Sequence, residues 1–261
     1  SKHFLLTKFN SKQSQNQMTN NDIRLEDLLV GDLKIFQSKS QYNFTSDACI
    51  LSQFVSVGKN DKIIEACSGS GVISILLCAK GAQNITCFEL QPQMADMSQK
   101  SVQLNNLQNK IKIVCDDFQN CKNHINFLAD TVVCNPPYFK DGKPCQNTAK
   151  MISKFETTMS LEALVKTTSS VLKNGGNFYV CFTPERTSEL LCLLSKHSLE
   201  PKQMFFSQKD SFSKPSCLFV KATKGGKSGI EVLPTLFTHD KDGKFVLTTA
   251  KMFENLKGKN I

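Results

Sequence analysis

Residues Asp61 to Ala66, centred on Ile63-Ile64, read as a buried strand that stops at Cys67-Ser68-Gly69-Ser70-Gly71. A second apolar series, Ile73, Leu76 and Leu77, begins at once and repeats at helical spacing. A buried strand, a glycine turn and a helix therefore follow one another directly. This is the opening unit of a nucleotide-binding fold, in which parallel strands alternate with helices. Glycine suits a backbone that must turn sharply and let a ligand come close. The pattern stops at G-x-G. Ser74 stands where the dinucleotide fingerprint needs a third glycine, and the G-x-x-x-x-G-K-[ST] phosphate loop is absent. Alone, the turn is also compatible with an ordinary strand-to-helix connection. Glu65, before the turn, suits a cationic ligand end better than a pyrophosphate.

The alternation recurs down the chain. Ile85 to Phe88 reads as the second strand and ends in Glu89, twenty residues after Gly69. That spacing sets a carboxylate at a strand tip, where it can accept both hydroxyls of a ribose. A solvated acid is the plainer alternative. A helix is predicted from about Pro92 to Asn105, with proline in an allowed first turn. Ile111 to Val114 is the third strand, followed by Asp116-Asp117-Phe118. One acid there suits an adenine amino group with Phe118 packed on the ring; equally, either aspartate suits capping the next segment. Thr131 to Cys134 is the fourth strand. Ser160 opens a helix through Leu161, Leu164, Val165, Val171 and Leu172, with Gly175-Gly176 as its stop. Phe178 to Phe182 is the fifth strand and Glu185 to His197 a helix. Met204 to Ser207 and Cys217 to Ala222 close the series as an antiparallel pair. The predicted architecture is α/β: a seven-stranded, mostly parallel sheet with an antiparallel final strand and helices on both faces.

The flanks are less regular. Residues 10–22 are rich in Asn, Gln and Ser and read, with the rest of 1–22, as a disordered lead-in or expression remnant. Met18 suits a natural start. Leu25, Leu28 and Leu29 suit a short helix, while Leu33, Ile35 and Tyr42-Asn43-Phe44 suit short strands or a hairpin. Ser46 or Asp47 can cap a helix through Ile50, Leu51 and Phe54. Residues 23–261 are expected to form one domain. It comprises an N-terminal segment (23–60), a ligand-binding core (61–223) and a basic extension (224–261). Within that extension, Lys244 to Leu247 is strand-like after an Asp-Gly turn.

Charge and cysteines narrow the setting. The net charge is +9, unevenly spread. Residues 41–138 carry seven lysines against eight acids, whereas residues 201–261 carry eleven lysines against five. A neutral centre with basic flanks fits a polyanion gripped around a catalytic site. A genome biased toward A and T would give the same lysine excess without one. Eleven scattered cysteines, with no C-x-x-C and no zinc spacing, read as reduced buried thiols. With no secretory signal and no run of eighteen apolar residues, the expectation is a cytoplasmic protein with no membrane partner and no metal; its oligomeric state is left open, a monomer being favoured.

After the fourth strand comes Asn135-Pro136-Pro137-Tyr138. Two prolines cannot continue a sheet ladder or a helix interior, and Asn135 is pushed extended by the proline after it. The result is a stiff exit at a strand's carboxyl end, where an open α/β sheet keeps its ligands. A plain loop is the alternative. Phe139 to Lys154 follows as a lysine-rich substrate lip.

An acid before G-x-G, an acid after the second strand, Asp-Asp-Phe after the third and Asn-Pro-Pro-Tyr after the fourth form one ordered series. It resembles the class I S-adenosylmethionine-dependent methyltransferases with a Rossmann-like fold. Asn135-Pro136-Pro137-Tyr138 resembles the signature of those that methylate amino groups conjugated to π systems: adenine N6, cytosine N4 or a glutamine side chain. Asp32-Leu33-Lys34-Ile35-Phe36-Gln37, Tyr42-Asn43-Phe44 and Asp47-Ala48-Cys49-Ile50-Leu51 resemble the N-terminal segment of the tRNA1(Val) (adenine-37-N6)-methyltransferase family. Phe139-Lys140, Leu172 to Gly176 and Leu199 to Lys202 are similar too, so the likeness runs from about Leu25 to Leu247. Glu65 stands where that family usually has aspartate. Ser153-Lys154-Phe155-Glu156 replaces an expected Ala-Arg-His-Glu stretch.

The resemblance implies a tRNA partner and S-adenosylmethionine as cofactor. The cofactor would lie on Glu65, Cys67, Gly69, Ser70, Gly71, Glu89, Leu90, Asp116, Asp117, Phe118 and Asn135. Catalysis would fall to Asn135, Pro136, Pro137 and Tyr138, and substrate contacts to Tyr138, Phe139, Lys140 and Lys154. The expected reaction is methylation of an adenine N6, at position 37 of a tRNA-Val anticodon loop. Methylation of a protein glutamine or of another nucleic-acid amino group keeps the same fold. A non-catalytic RNA-binding module is a third reading.

Overall fold

The computed structural model describes residues 23–28, 30–38, 46–136 and 159–246. The chain opens with an antiparallel hairpin of β1 (Ile23–Asp27) and β2 (Lys34–Ser38), in which Leu25 pairs with Phe36. The helix expected at Leu25 does not form. Gly31 and Asp32, at φ 50° and 59°, fold the chain back, so the backbone bonds of β1 come from across the hairpin. Tyr42 to Phe44, the lead-in before Ile23 and Leu29 lie outside the described residues.

Helix α1 (Ser46–Phe54) precedes the sheet. β3 (Lys62–Ala66), α2 (Val72–Ala79), β4 (Asn84–Phe88), α3 (Pro92–Leu104) and β5 (Ile111–Val114) then alternate as expected. A 3-10 helix (Phe118–Asn123) leads to β6 (Ala129–Cys134). From Leu161 come α4 (Leu161–Val171), β7 (Leu172–Phe182), α5 (Thr187–Lys196), β8 (Leu199–Gln208) and β9 (Pro215–Lys224). The order across the main sheet is β5-β4-β3-β6-β7-β9-β8. Neighbours from β5 to β7 are parallel, whereas β9 runs antiparallel between β7 and β8. So β8 points the same way as the parallel strands. Two short strands, β10 (Glu231–Val232) and β11 (Leu236–Phe237), extend the sheet beyond β8.

The strand period of two sends neighbouring residues to opposite faces. Ile63, Val133, Tyr179 and Phe219 join one core with α1, α2 and α3. Ile64, Val132, Phe178 and Val220 join the other with α4 and α5. Phe54 of α1 meets Tyr179 and Phe205 edge-on, and Phe205 stacks on Phe219 at 4.7 Å. The Lys80 ammonium at the end of α2 donates to the carbonyls of Ser52, Gln53 and Val55, tying off α1. The opening hairpin is anchored on α3: Phe36 N donates to Ser101 Oγ and Lys34 N to Asn105 Oδ1.

Two boundaries differ from expectation. Gly175-Gly176 does not end α4, because Leu172 is already extended, at φ −81° and ψ 145°, and begins β7. The glycines instead absorb a bulge: Ala129 pairs with Leu172, but Thr131 pairs with Asn177. A side chain at Gly176 would strike the carbonyls of Lys173 and Asp130. Near the C-terminus, the strand expected from Lys244 is only a single bridge, Phe245 to His239, and Leu247 lies outside the described residues. No helix among the described residues is long and apolar enough to cross a membrane.

Candidate functional site

Register brings the candidate residues together. Ala66 pairs with Phe88 on one side and Cys134 on the other; Phe88 pairs with Val114 and Cys134 with Val180. These five positions are level across the sheet. The residues that follow them, Cys115, Glu89, Cys67, Asn135 and Cys181, therefore form one row along its carboxyl edge.

The glycine turn is shaped by backbone that leaves the ordinary regions. Cys67, Gly69 and Gly71 take φ of 57°, 54° and 81°. Gly71 N donates to Ser68 O at 2.8 Å, and Gly71 O accepts from Ile75 N to start α2. The two glycines answer different demands. A Cβ on Gly71 would collide with Ser98 Oγ of α3, so that position exists for packing. A Cβ on Gly69 would find nothing nearer than Met94 Cε at 3.9 Å, so that position leaves open space above the turn. Ser70 is buried, and the buried Ser68 hydroxyl has no hydrogen-bond partner.

Glu89 reaches over this turn. Its Oε2 accepts from Gly69 N and its Oε1 from Gln91 N, both at 2.8 Å. Burial pushes its carboxyl above the usual range, against the pull of these N–H bonds. Leu90 beside it is exposed. Glu65 points elsewhere. It is 1% exposed, and its Oε2 accepts from the Ser74 hydroxyl and, at 3.1 Å, the Ser74 N–H. Burial raises its pKa to about 7 despite those bonds. So Glu65 braces the first turn of α2.

After β5, Asp117 caps the 3-10 helix by accepting from Gln119 N at 2.8 Å. Asp116 accepts from Asn120 Nδ2 at 3.0 Å and meets His124 Nε2 at 2.6 Å; these contacts hold its carboxyl below the usual range. The Phe118 ring, 3% exposed, packs on Phe88 in the core at 5.8 Å between centroids. It is an apolar ring opening a helix above the sheet, and it packs into the core.

Asn135 leaves β6 half-buried, with Pro136 buried behind it. Its Oδ1 accepts from Cys181 Sγ at 2.9 Å. Burial holds the Cys181 thiol well above its usual range, so it remains protonated and able to donate. Sequence reading missed Cys181. The signal was present: the fifth strand, aligned with the fourth, carries a thiol level with the asparagine. Pro137, Tyr138, Phe139, Lys140 and Lys154 lie outside the described residues, as do Ser153 to Glu156. Among the described residues, no cluster of His, Cys, Asp and Glu could hold a metal ion.

Known proteins resemble this arrangement. The crystal structure of a predicted O-methyltransferase from Agrobacterium tumefaciens superposes with a TM-score of 0.61 at 16% identity, over 80% of this chain and 96% of its own. The crystal structure of a putative class I S-adenosylmethionine-dependent methyltransferase from Listeria monocytogenes gives 0.55 at 16% identity, over 85% and 72%. The tRNA1(Val) (adenine(37)-N6)-methyltransferase of Bacteroides fragilis is 24% identical over 65% of this chain and 72% of its own. That of Aliivibrio salmonicida is 19% identical over 81% and 91%. The methyltransferase small domain model matches residues 38–197, more than half of the 261. The chain belongs to the methyltransferase small domain family and is an S-adenosylmethionine-dependent methyltransferase of the class I fold.

Proposed function

We propose that the protein methylates the exocyclic N6 of an adenine in tRNA, with adenine 37 of a tRNA-Val anticodon loop as the first substrate to test. The observation that carries this reading is the pairing of Ala66 with Cys134. It sets Asn135 beside the glycine turn, so an amide stands next to the open space above Gly69. The names of the curated relatives support the choice of tRNA.

The residues suit the cofactor. The open space at Gly69, the unpartnered Ser68 hydroxyl and the fixed Glu89 carboxylate make a donor and acceptor set for a nucleoside. Glu89 would accept from the ribose hydroxyls, and Asp116 and Asp117 would border the adenine. When bound, S-adenosylmethionine supplies an electrophilic methyl carbon. The chain's own part is to hold the nucleophile. An exocyclic adenine nitrogen is weak because its lone pair is delocalised into the ring. Asn135 Oδ1 and the Pro136 carbonyl would accept from its two protons and draw that lone pair back onto nitrogen. Such fixed acceptors stabilise charge that develops only in the transition state. No strong base is required, because the N–H turns acidic once the new C–N bond forms, and its proton can leave to water. Tyr138, next in sequence, would stack on the flipped base, worth about 1–3 kcal/mol. An unpaired loop adenine costs little to flip.

The test is methyl transfer to unmodified tRNA beside a release-factor protein substrate, followed by nucleoside mass spectrometry. N6-methyladenosine in tRNA is expected. Asn135→Ala should lower turnover by about 10²–10³-fold while donor binding persists. Methylation of a protein glutamine and not of tRNA would replace this reading.

A further inference from the structure

The hairpin between β8 and β9 ends in Lys209-Asp210-Ser211-Phe212-Ser213-Lys214, and Phe212 is 98% exposed. No other large apolar side chain among the described residues comes close to that exposure. The tip is nonetheless built. Asp210 Oδ1 accepts from Phe212 N at 3.0 Å, Ser213 N at 2.9 Å and Ser213 Oγ at 2.9 Å, and Gln208 Nε2 donates to Asp210 O. A turn so braced holds the ring out in water, where an isolated Phe gains nothing for folding.

Its position follows from topology. β8 is parallel to β7, so the hairpin leaves the sheet at the same carboxyl edge as Asn135. Met204 is level with Cys134 through Val220 and Val180, and β8 continues to Gln208. At about 3.3 Å per residue the strand projects roughly 13 Å past the level of Cys134, or about 10 Å past the row that holds Asn135. β8 is three strands from β6. At about 4.8 Å per strand that is roughly 14 Å sideways, so Phe212 stands on the order of 20 Å from Asn135. It cannot touch the reacting base.

The surroundings are basic. Lys209 and Lys214 flank the ring and are exposed. The C-terminal extension reaches the same rim, since Thr238 N donates to Gln208 O and His239 N to Lys209 O. It brings exposed Lys241 and Lys244 with it. Two of the three acids there, Asp210 and Asp240, bind their own loops: Asp240 Oδ1 accepts from Asp242 N and Lys244 N, while Asp242 is exposed beside the four lysines.

We infer that the hairpin tip is a second RNA contact, in which Phe212 stacks on an unpaired base away from the methylated one while Lys209 and Lys214 meet the neighbouring phosphates. This rests on the tRNA reading of the active site and adds where the rest of that RNA is gripped. An exposed aromatic ring between cations is the usual platform for single-stranded bases. The occupant is RNA rather than protein because the apolar surface offered is one ring rimmed by lysines.

The test measures binding of an unmodified tRNA transcript by fluorescence anisotropy, and its methylation, for the full chain and three variants. Phe212→Ala should weaken binding and raise KM for tRNA by about 5- to 100-fold, with kcat and donor affinity unchanged. Phe212→Tyr should retain parental affinity, and Phe212→Leu, apolar but without a π face, should behave as the alanine variant. Parental affinity in Phe212→Ala, or full recovery in Phe212→Leu, overturns the inference. A parent that binds tRNA but does not methylate it removes the proposed reaction while leaving the Phe212 comparison intact. A parent that neither binds nor methylates tRNA removes both.

Discussion

Asn135 depends on a neighbour no motif includes. The Cys181 thiol, bonded to Asn135 Oδ1 at 2.9 Å, leaves the amide one orientation, with the remaining lone pair of Oδ1 free to accept. Cys181→Ala should therefore lower kcat by about tenfold, the worth of one hydrogen bond, with donor KM unchanged. Cys181→Ser keeps a donor and should recover most of the rate. Equal losses in both variants would reduce Cys181 to packing. Glu65 makes a different kind of statement. Its folded pKa, about 7, lies above the ordinary 4.5, so the folded protein binds a proton there that the unfolded chain has released. The stability tied to this group is full below about pH 4.5 and declines as pH rises toward 7, by on the order of 3 kcal/mol in all. Glu65→Gln carries no such proton. Its melting temperature should gain on that of the parent between about pH 5 and pH 8. Parallel melting curves would show that the carboxyl is already ionised in the fold.

The strand-turn-helix element separates two glycines that look alike in sequence. Gly71 is held at φ 81° against Ser98, so Gly71→Ala meets both a backbone cost and a collision. Together these should cost about 3 kcal/mol of stability by denaturant titration. Gly69, at φ 54°, has room for a methyl group, and Gly69→Ala should cost only about 1 kcal/mol. Yet its methyl group would enter the space offered to the cofactor, so S-adenosylmethionine affinity should drop by about tenfold or more by calorimetry. If Gly69→Ala binds the donor as the parent does, the donor does not lie over the turn. This element was legible because a buried strand shows as a short apolar centre, here Ile63-Ile64, and its turn needs glycine. The same logic placed β4, β5 and β6 within a residue or two. It failed where tertiary contacts decide. Leu25 and Leu28 match helical spacing, but a turn at Gly31 and Asp32 and an anchor on α3 make them part of a hairpin. Gly175-Gly176 matches a helix stop, but a bulge against β6 uses the glycines. Glu65 and Phe118 were placed at the right strand ends, while their partners, Ser74 and Phe88, were not legible, since strand-end position is set by sequence distance and side-chain direction by packing.

Across the whole molecule, charge and topology agree. The residues that build the glycine turn and β3 to β6 are close to neutral, with seven lysines against eight acids over 41–138. The excess lies in 201–261, with eleven lysines against five acids. Placing β9 between β7 and β8 puts the β8–β9 hairpin and the extension behind it on one flank of the carboxyl edge. A nucleoside cofactor and a nucleic acid would thus bind in different electrostatic settings on the same rim. Salt separates them. Each lysine that neutralises a phosphate releases counterions, so binding through three such contacts weakens by some tens-fold between about 50 and 200 mM salt. Cofactor binding at the neutral centre, through hydrogen bonds to Glu89 and the glycine turn, should change by less than about twofold over the same range. Titrating each ligand separately at both salt concentrations measures the difference. Substituting Lys209 and Lys214 together should lower the slope for tRNA by about two contacts and leave that for the cofactor flat. Equal salt slopes for the two ligands would place the polyanion over the catalytic centre itself, and the lysine-rich flank would then be surface composition and nothing more.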